Sequence, residues 1–312
     1  MKAIRIHAFG GPDALSYEEV PTPTLRDDEV LVRNKAAGVN PIDWKTCSGG
    51  GAASFIGKLP FVPGWEFAGV VELVGAAVED FKPGDEVFGF IRFPQAAGCY
   101  AEHLAAPASQ IALKPQQMPF SEGAGLGLAG LTAWQALFDK GQLGAGQRVL
   151  VLAAAGGVGH LAVQLAKAAG AQVTGSASAA NHAYLKSLGC DAVIDYQTED
   201  LSTVAQDMDL VLDGMGGDVG IHALACLKPG GRLVTLPSVT TDAVVRAAEA
   251  AGVQACGIRV EPNGAQLAEL AKRYAQGSLK LTLAAEVPLA EARSAHQQSA
   301  GGHVRGKLVL TI

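Results

Sequence analysis

The sequence is poor in the features that mark several large protein classes. Its cysteines are odd in number and stand singly along the chain: Cys47, Cys99, Cys190, Cys226 and Cys256. This pattern argues against a disulfide framework and for a reducing compartment, so we expect a cytoplasmic protein. Lysine and arginine total 24 against 30 aspartate and glutamate, and the net charge of -6 provides no basic field. We therefore expect no nucleic-acid partner.

Long apolar runs are also absent. The first residues, MKAIRIHAFGG, alternate like a strand and lack the apolar centre of a signal peptide. No uninterrupted apolar segment reaches the length that is needed to span a bilayer. We therefore expect no membrane partner.

Sequence motifs for several other chemistries are missing. There is no Gly-x-Ser-x-Gly, so a hydrolase nucleophile has no support. No pair of Cys or His has the spacing of a metal site, and the seven histidines form no catalytic motif, so we expect no metal. Residues 301–307 spell the GxxxxGK of a phosphate-binding loop, but Leu308 replaces its Ser or Thr and a strand-like tail follows. That match is spurious.

The features that are present indicate an α/β protein with two lobes. The 312 residues are 49% hydrophobic and include 39 glycines, which suits close helix-to-strand packing. Residues 1–120 contain short β-branched runs between Gly and Pro, the pattern of a β-rich lobe. From residue 121, helical periods alternate with short buried strands, which predicts a doubly wound parallel sheet. The predicted parallel strands cover residues 148–153, 172–176, 192–195, 210–213 and 232–236.

The chain end predicts how the lobes divide. Residues 283–312 have the pattern strand, short helix, strand and could rejoin the first lobe. We therefore expect a catalytic domain of residues 1–120, completed by 261–312, and a dinucleotide-binding domain of residues 121–260.

A glycine-rich turn at residues 154–159 lies between a buried strand and an amphipathic helix, which is the context of a dinucleotide fingerprint. Glycine there allows the backbone to approach a diphosphate, and the helix N-terminus presents free N–H groups to its charge. The alternative is a turn that serves only helix packing. The predicted cofactor contacts are Ala155, Gly156, Gly157, Val158 and Gly159.

The region after the second strand predicts which nucleotide binds. An NAD site usually places an acid about 20 residues beyond the turn to hold the ribose 2′-OH. Residues 175–181 contain no acid but offer Ser176, Ser178 and Asn181, which leave room for a 2′-phosphate. We therefore predict NADPH as cofactor, bound mainly by hydrogen bonds because no Arg or Lys occurs before Lys186.

Five segments together resemble the zinc-independent quinone oxidoreductases of the medium-chain dehydrogenase/reductase superfamily. They are residues 36–45 (AAGVNPIDWK), 63–71 (PGWEFAGVV), 128–137 (LAGLTAWQAL), the glycine turn and 304–311 (VRGKLVLT). The resemblance covers nearly the whole chain. It implies a GroES-like β-rich catalytic domain beside a Rossmann-like domain, and a homodimer.

The resemblance also implies roles for individual residues. Zinc-dependent relatives carry Cys at the position of Asn40 and His at that of Trp65, so two metal ligands are replaced. Asn40 lies near the nicotinamide in the family, and the strip of residues 40–45 lines the substrate pocket. Thr132, Tyr196 and Lys307 are implied to touch the cofactor.

Three residues of the strip are candidates for catalysis, because hydride arriving at carbon leaves an enolate-like oxygen that needs hydrogen-bond donors and a proton. Lys45, which stands where several quinone reductases carry Tyr, could stabilise that oxygen or assist protonation; the alternative is an exposed surface lysine. Asp43 could orient Lys45, or only support the loop. Asn40 could hold the nicotinamide or a substrate carbonyl, or simply form a turn.

These patterns together predict an NADPH-dependent reductase that delivers hydride, without zinc, to a small quinone, enone or alkenal. The alternative is a protein that binds NADPH without turnover, as a redox sensor or a structural protein, because one fold hosts many functions.

Overall fold

A computed structural model describes all residues from Met1 to Ile312. The chain forms two compact units. Unit 1 comprises Met1–Leu131, Glu261–Gly277 and Leu281–Ile312, and unit 2 comprises Thr132–Val260 and Ser278–Lys280.

The strands are distributed over both units. They are β1 (Lys2–Ile6), β2 (Leu15–Glu19), β3 (Glu29–Val39), β4 (Glu66–Val74), β5 (Glu86–Phe90), β6 (His103–Pro107), β7 (Ile111–Leu113), β8 (Arg148–Val151), β9 (Gln172–Ala177), β10 (Ala192–Asp195), β11 (Met208–Asp213), β12 (Leu227–Thr235), β13 (Gln254–Gly257), β14 (Leu283–Pro288) and β15 (Lys307–Thr311).

The helices range from one turn to four. They are α1 (Pro41–Cys47), α2 (Phe120–Trp134), α3 (Gly159–Ala168), α4 (His182–Ser187), α5 (Leu201–Val204), α6 (Gly217–Ala223), α7 (Thr241–Ala251), α8 (Gly264–Ala275) and α9 (Ala292–Ala300). None of them combines the length and the apolar character that crossing a membrane requires.

Unit 1 is built on a mixed sheet with the strand order β14-β15-β3-β4-β5-β7, in which β6 also pairs with β3. The C-terminal strand β15 runs antiparallel to β3, with Leu308 opposite Val39. Strand β4 pairs with β3 on the other side. Because β3 lies between β4 and β15, charged side chains on those two strands can meet at the end of β3.

Glycines let helix α2 lie close to this sheet. A Cβ atom on Gly127 would lie 2.9 Å from the Gly89 carbonyl oxygen of β5, and one on Gly123 would lie 3.2 Å from the Ala68 Cβ of β4. Larger side chains would push the helix away from the strands. The close approach brings the backbone of Leu128 within reach of a side chain of β4.

Unit 2 contains a six-stranded sheet with the order β10-β9-β8-β11-β12-β13. All of its pairings are parallel. The predicted α/β class with a doubly wound parallel sheet is therefore confirmed. Strand order reverses between β8 and β11, and in such sheets ligands bind outside the carboxyl ends of the strands at that point.

Helix α3 follows β8 and packs its apolar residues into the core of unit 2. Leu161, Ala162 and Leu165 are fully buried, as the period of the sequence predicts. Gly170 ends the helix with a positive φ of 83°, a left-handed conformation that suits glycine.

The cysteines form no disulfide, and all except Cys256 are buried. Unit 1 has a core of large side chains with almost no exposure, among them Trp65, Phe67, Phe88 and Tyr100.

Candidate functional site

Asn40 stands at the junction of β3 and α1 in unit 1. Its backbone is extended, with a φ of -131°, and Pro41 occupies the first turn of the helix, where its missing N–H costs nothing. Asn40 is only 3% exposed. The polar groups of Asn40 must therefore find partners inside the protein.

The partners of Asn40 are three ionisable side chains. Its backbone N–H donates to Oδ2 of Asp43 at 2.7 Å. Its side-chain Nδ2 donates to Oε1 of Glu66, also at 2.7 Å. Its side-chain Oδ1 accepts a hydrogen bond from Nζ of Lys307. The residue is thus held at both ends of its amide and at its backbone.

Glu66 and Lys307 form a buried ion pair, with 2.8 Å between Oε1 and Nζ and side-chain exposures of 0% and 3%. The second carboxylate oxygen of Glu66 accepts the backbone N–H of Leu128 at 2.6 Å. The third donor of Lys307 reaches the carbonyl oxygen of Val39 at 3.3 Å. Both charges are therefore compensated by hydrogen bonds as well as by each other.

Gly38 makes room for the Glu66 carboxylate. A Cβ atom on Gly38 would lie 2.1 Å from Oε1 of Glu66 and 2.6 Å from the carbonyl oxygen of Ala124. Any larger residue at this position of β3 would displace the carboxylate that holds Asn40.

A second buried polar chain starts at Asp43 and runs away from Asn40. The Tyr100 hydroxyl donates to Oδ2 of Asp43 at 3.0 Å, and Nε2 of His296 lies 3.3 Å from the same hydroxyl oxygen. Since the Tyr100 hydroxyl uses its hydrogen in the bond to Asp43, its oxygen can only accept from His296. His296 therefore carries its hydrogen on Nε2 and donates it to Tyr100. Oδ1 of Asp43 and Nδ1 of His296 are buried without a partner.

Burial raises the pKa values of the two acidic groups in this hydrogen-bonded series, Asp43 and Tyr100, and lowers the pKa of its base, His296. Loss of hydration, reinforced by the nearby Glu66 charge, raises the pKa of Asp43 to about 7 against the hydrogen bond from Asn40. Burial lowers the pKa of His296 to about 4. Loss of hydration and the Asp43 charge hold the pKa of the Tyr100 hydroxyl well above its usual range.

Lys45, the third candidate of the strip, is exposed at the surface of unit 1. Its Nζ lies 5.4 Å from the centre of the Trp44 ring. The hydrogen bonds of Asp43 go to Asn40 and Tyr100, so the structure brings Asn40 and Asp43 together without Lys45.

Trp65 fills the core beside Glu66. Its ring is 1% exposed, its Nε1 donates to the Gln95 carbonyl oxygen at 2.7 Å, and its edge packs against Phe93. No three His, Cys, Asp or Glu side chains are grouped in a way that could hold a metal ion.

The glycine turn of unit 2 joins β8 to α3 at the point where strand order reverses. A Cβ atom on Gly159 would lie 2.3 Å from the Ala153 carbonyl oxygen, so glycine is required there by the turn itself. The backbone N–H groups of Gly157 and Val158 donate to no group of the protein. The turn therefore offers free donors to an anion, as a dinucleotide diphosphate would need.

His160 supports this turn. The residue is fully buried, and its Nδ1 lies 2.9 Å from the Gly156 carbonyl oxygen. Because a carbonyl oxygen only accepts, Nδ1 carries the hydrogen. The dispersed histidines gave no reason to assign His160 this role.

The other predicted cofactor contacts of unit 2 lie along the carboxyl ends of neighbouring strands. Ser176 is buried near the end of β9, and its carbonyl oxygen accepts the N–H of Ala154 in the turn. Asn181 donates to the Ser178 hydroxyl at 3.2 Å. Tyr196 follows the adjacent strand β10 and is 54% exposed. The structure thus brings these residues to one edge of the sheet.

The two remaining predicted contacts lie elsewhere in the chain. Thr132 is buried in α2, where unit 2 begins. Lys307 belongs to unit 1, where its three N–H groups bond to Val39, Asn40 and Glu66. Its role as a cofactor contact stays a prediction.

Three residues around Asn40 are not identified by the sequence patterns: Glu66, Tyr100 and His296. A usable signal exists only for Glu66, which stands in the otherwise apolar strand segment GWEFAGVV. A carboxylate in such a run is almost always paired. The hydrogen bond between Tyr100 and His296 joins residues 196 positions apart, which no local pattern reveals.

Comparison with known proteins gives two family matches and many relatives. Residues 26–116 match the alcohol dehydrogenase GroES-like domain, and residues 188–310 match the zinc-binding dehydrogenase family. The chain is 32% identical to a chloroplast envelope quinone oxidoreductase homolog of Arabidopsis thaliana, over 99% of this chain and 98% of that protein. It is 38% identical to a chloroplastic NADPH-dependent alkenal/one oxidoreductase of the same plant, over 77% of this chain and 64% of that protein.

Solved structures agree with these matches. The quinone oxidoreductase from Coxiella burnetii superposes with a TM-score of 0.96 at 40% identity, covering 100% of this chain and 99% of that one. The Escherichia coli quinone oxidoreductase complexed with NADPH superposes with a TM-score of 0.90 at 28% identity, covering both chains completely. The predicted combination of a GroES-like domain and a Rossmann-like domain is confirmed.

Proposed function

Because the chain belongs to the quinone oxidoreductase family of the medium-chain dehydrogenase/reductase superfamily, we propose that it is an NADPH-dependent reductase of quinones and α,β-unsaturated carbonyl compounds. The observation that carries the proposal is the glycine turn between β8 and α3, which offers unpaired N–H groups at the switch point of the sheet. When bound, NADPH supplies the hydride.

The residues of unit 2 fit this cofactor. The N–H groups of Gly157 and Val158 would hold the diphosphate at the N-terminus of α3. Ser178 and Asn181 would bind the 2′-phosphate, and no acid stands between residues 175 and 181 to repel it. The names of the relatives support NADPH as the nucleotide. Equal turnover efficiency with NADH would contradict the preference.

The residues of unit 1 supply the polar groups of the reaction. Asn40 keeps one side-chain N–H after its bond to Glu66, and this donor would stabilise negative charge that develops on a substrate oxygen. Delivery of the proton by Lys45 stays a prediction, because Lys45 is exposed and bonds to neither Asn40 nor Asp43; an unchanged turnover in Lys45→Ala would assign it to the surface. Asp43 would support Asn40 through its backbone N–H.

We propose that the reaction needs no zinc. Zinc-dependent members of the superfamily carry Cys and His at the positions of Asn40 and Trp65. No other group of His, Cys, Asp or Glu side chains takes the place of these ligands. Turnover should survive dialysis against a strong chelator, with far less than one zinc per chain by elemental analysis. Loss of turnover that returns on adding zinc would refute this part of the proposal.

Oxidation of NADPH at the nicotinamide absorbance, followed with a panel of quinones, enones and alkenals, tests the central proposal. We expect turnover with at least one acceptor class, and a fall of roughly a hundredfold in kcat for Asn40→Ala, the loss of one well-placed donor. Tight NADPH binding without oxidation by any acceptor would favour the alternative, a redox sensor or structural protein.

We further propose a homodimer in the cytoplasm. Strand β13 stands at the edge of the unit 2 sheet with one side unpaired, and Val239 is 84% exposed in the same unit. Five free cysteines suit a reducing compartment. Light scattering of the purified chain should give twice the mass of 31.9 kDa, and a mass of one chain would contradict the dimer.

A further inference from the structure

We propose that Lys307 and Glu66 are positioning residues that lock the side-chain amide of Asn40 in one orientation, so that it meets a ligand as a hydrogen-bond donor. This inference rests on the proposed function and assigns Lys307 an action through Asn40 instead of a contact with the cofactor. It follows from the contacts at the two ends of the amide.

The amide of an asparagine has two orientations of similar shape, because its oxygen and nitrogen differ little in size. Here an ammonium group stands at one end and a carboxylate at the other. Turning the amide over would set its NH2 group against Lys307 and its oxygen against Glu66. Both contacts would become repulsive inside a buried pocket, where charges are weakly screened. Two opposite charges therefore select a single orientation.

Lys307 has no donor left for another partner. An ammonium group has three N–H donors, and those of Lys307 reach Val39, Asn40 and Glu66. Its side chain is also only 3% exposed. A phosphate oxygen could be bound only by breaking one of these bonds, so the ammonium acts on the site through the amide.

Both carboxylate oxygens of Glu66 are also held by hydrogen bonds. Oε1 accepts from Asn40 and Lys307, and Oε2 accepts from the backbone of Leu128 in α2. Gly38 leaves the carboxylate against the backbone of β3, since a Cβ atom there would lie 2.1 Å from Oε1. The carboxylate cannot rotate to follow a turned amide, so the orientation is preset before any ligand arrives.

The preset orientation favours ligands with an oxygen acceptor. One N–H of Asn40 is used by Glu66, and the other is left for a carbonyl oxygen on which negative charge grows. Preorganised donors of this kind cost no reorientation during the reaction. A freely turning amide would spend part of its time presenting its own oxygen to that ligand.

The test compares Lys307→Met and Glu66→Gln with the matched control Lys114→Met. Lys114 is also a buried lysine of unit 1, with Nζ 2.8 Å from Glu86 and 2.6 Å from the Met118 carbonyl oxygen, but none of its bonds reaches Asn40. One readout is the side-chain ¹⁵N–H₂ signal pair of Asn40, assigned by its loss in Asn40→Ala. The second is kcat with an enone acceptor beside the Kd for NADPH from nucleotide fluorescence.

In the wild type we expect a well-separated Asn40 proton pair that exchanges slowly with water, because one proton donates to a buried carboxylate. Lys307→Met and Glu66→Gln should merge the pair, speed its exchange and lower kcat by roughly ten- to a hundredfold, with Kd for NADPH changed by less than about threefold. Lys114→Met should leave the signals and kcat unchanged.

Three results would overturn the inference: an unaltered Asn40 signal pair in Lys307→Met, an equal fall of kcat in Lys114→Met, or a weakened Kd for NADPH in Lys307→Met with kcat preserved. If the wild type shows the signal pair but fails to oxidise NADPH with any of the acceptors, the proposed function alone is refuted. The signals of the variants would then still decide the positioning role.

Discussion

A buried lysine and glutamate such as Lys307 and Glu66 lose most of their hydration, and only close pairing with further hydrogen bonds offsets that loss. The balance is asymmetric. Removing one partner leaves the other charge in the protein interior, whereas removing both charges leaves none. The pair therefore matters to stability mainly through what its rupture would leave behind.

Lys307→Met should lower the free energy of unfolding by about 3–5 kcal/mol, because it leaves the Glu66 carboxylate buried and unpaired. Adding Glu66→Gln should restore part of that loss. Urea unfolding of the single and double variants measures both effects. Lys114→Met should cost less, since its partner Glu86 is 43% exposed and regains water. Strictly additive losses in the double variant would contradict the argument.

At this scale the sequence predicts single residues better than their partnerships. Asn40 is a candidate because its Asn-Pro-Ile-Asp-Trp-Lys segment resembles the site strip of the family. Its partner Lys307 bonds to a glutamate 241 positions away, and no local pattern records such a pairing. For Lys307 only the family resemblance is available, and it predicts a cofactor contact. Tyr100 and His296 carry no sequence signal, because their polar groups meet only after unit 1 has folded.

Among the strands and helices, β3 contains the glycine that leaves the least space for an added Cβ atom. Gly38→Ala would press a methyl group against Oε1 of Glu66 and the Ala124 carbonyl oxygen, at 2.1 and 2.6 Å. Overpacking of this kind costs about 1–3 kcal/mol, and the displaced carboxylate should also lower kcat. Gly11→Ala is the control, since nothing lies within 4 Å of its Cβ position and its φ of -69° suits alanine. Thermal unfolding and activity assays of both variants test this prediction. Equal losses of stability and of kcat in Gly38→Ala and Gly11→Ala would contradict it.

The turn between β8 and α3 of unit 2 also contains a glycine that leaves no space for a Cβ atom. Gly159→Ala would place a Cβ atom 2.3 Å from the Ala153 carbonyl oxygen and open the turn. We expect the Kd for NADPH to rise by roughly tenfold or more, as binding loses its aligned N–H groups. Gly144→Ala, where the Cβ would meet only Gln147 Oε1 at 3.7 Å, should leave Kd unchanged. Fluorescence titration of NADPH measures both, and unchanged binding in Gly159→Ala would count against the diphosphate site.

The sequence predicts the strands that have a strong apolar pattern, and it gives no signal for a strand that lacks one. The five predicted parallel strands all occur, because each is a short buried apolar run. Strand β13 has the sequence QACG, which contains no β-branched or aromatic residue and so carries no strand signal. It forms because β12 offers it an open edge. Strand β12 begins at Leu227, earlier than expected, since its Lys-Pro-Gly-Gly segment reads as a turn.

Across the whole molecule, Asp43 and His296 link stability to pH in opposite directions. The pKa of Asp43 is raised to about 7, so the folded state holds an extra proton and stability falls as pH rises from about 4 to about 7. The pKa of His296 is lowered to about 4, so the unfolded state takes up the extra proton and stability is lost as pH falls below about 6.5. Between about pH 4 and 6.5 the two contributions offset each other.

Single substitutions should uncover each contribution. Asp43→Asn leaves His296 alone, so stability should rise with pH between about 4 and 6.5. His296→Gln leaves Asp43 alone, so stability should fall as pH rises between about 4 and 7. Urea unfolding across this range, with wild type as reference, measures the slopes, each worth on the order of a few kcal/mol. Identical slopes in both variants would refute the opposition.

The buried thiols have a chemical consequence for an enzyme of this proposed kind. Burial raises the pKa of Cys47 and Cys190 to about 12 and that of Cys226 to about 11, so hardly any thiolate is present at neutral pH. Conjugated carbonyl compounds alkylate thiolates. Mass spectrometry after brief maleimide treatment should therefore find no label on the four buried cysteines, and label on all five cysteines after unfolding. Such a protein would be shielded from covalent inactivation by the electrophiles it consumes.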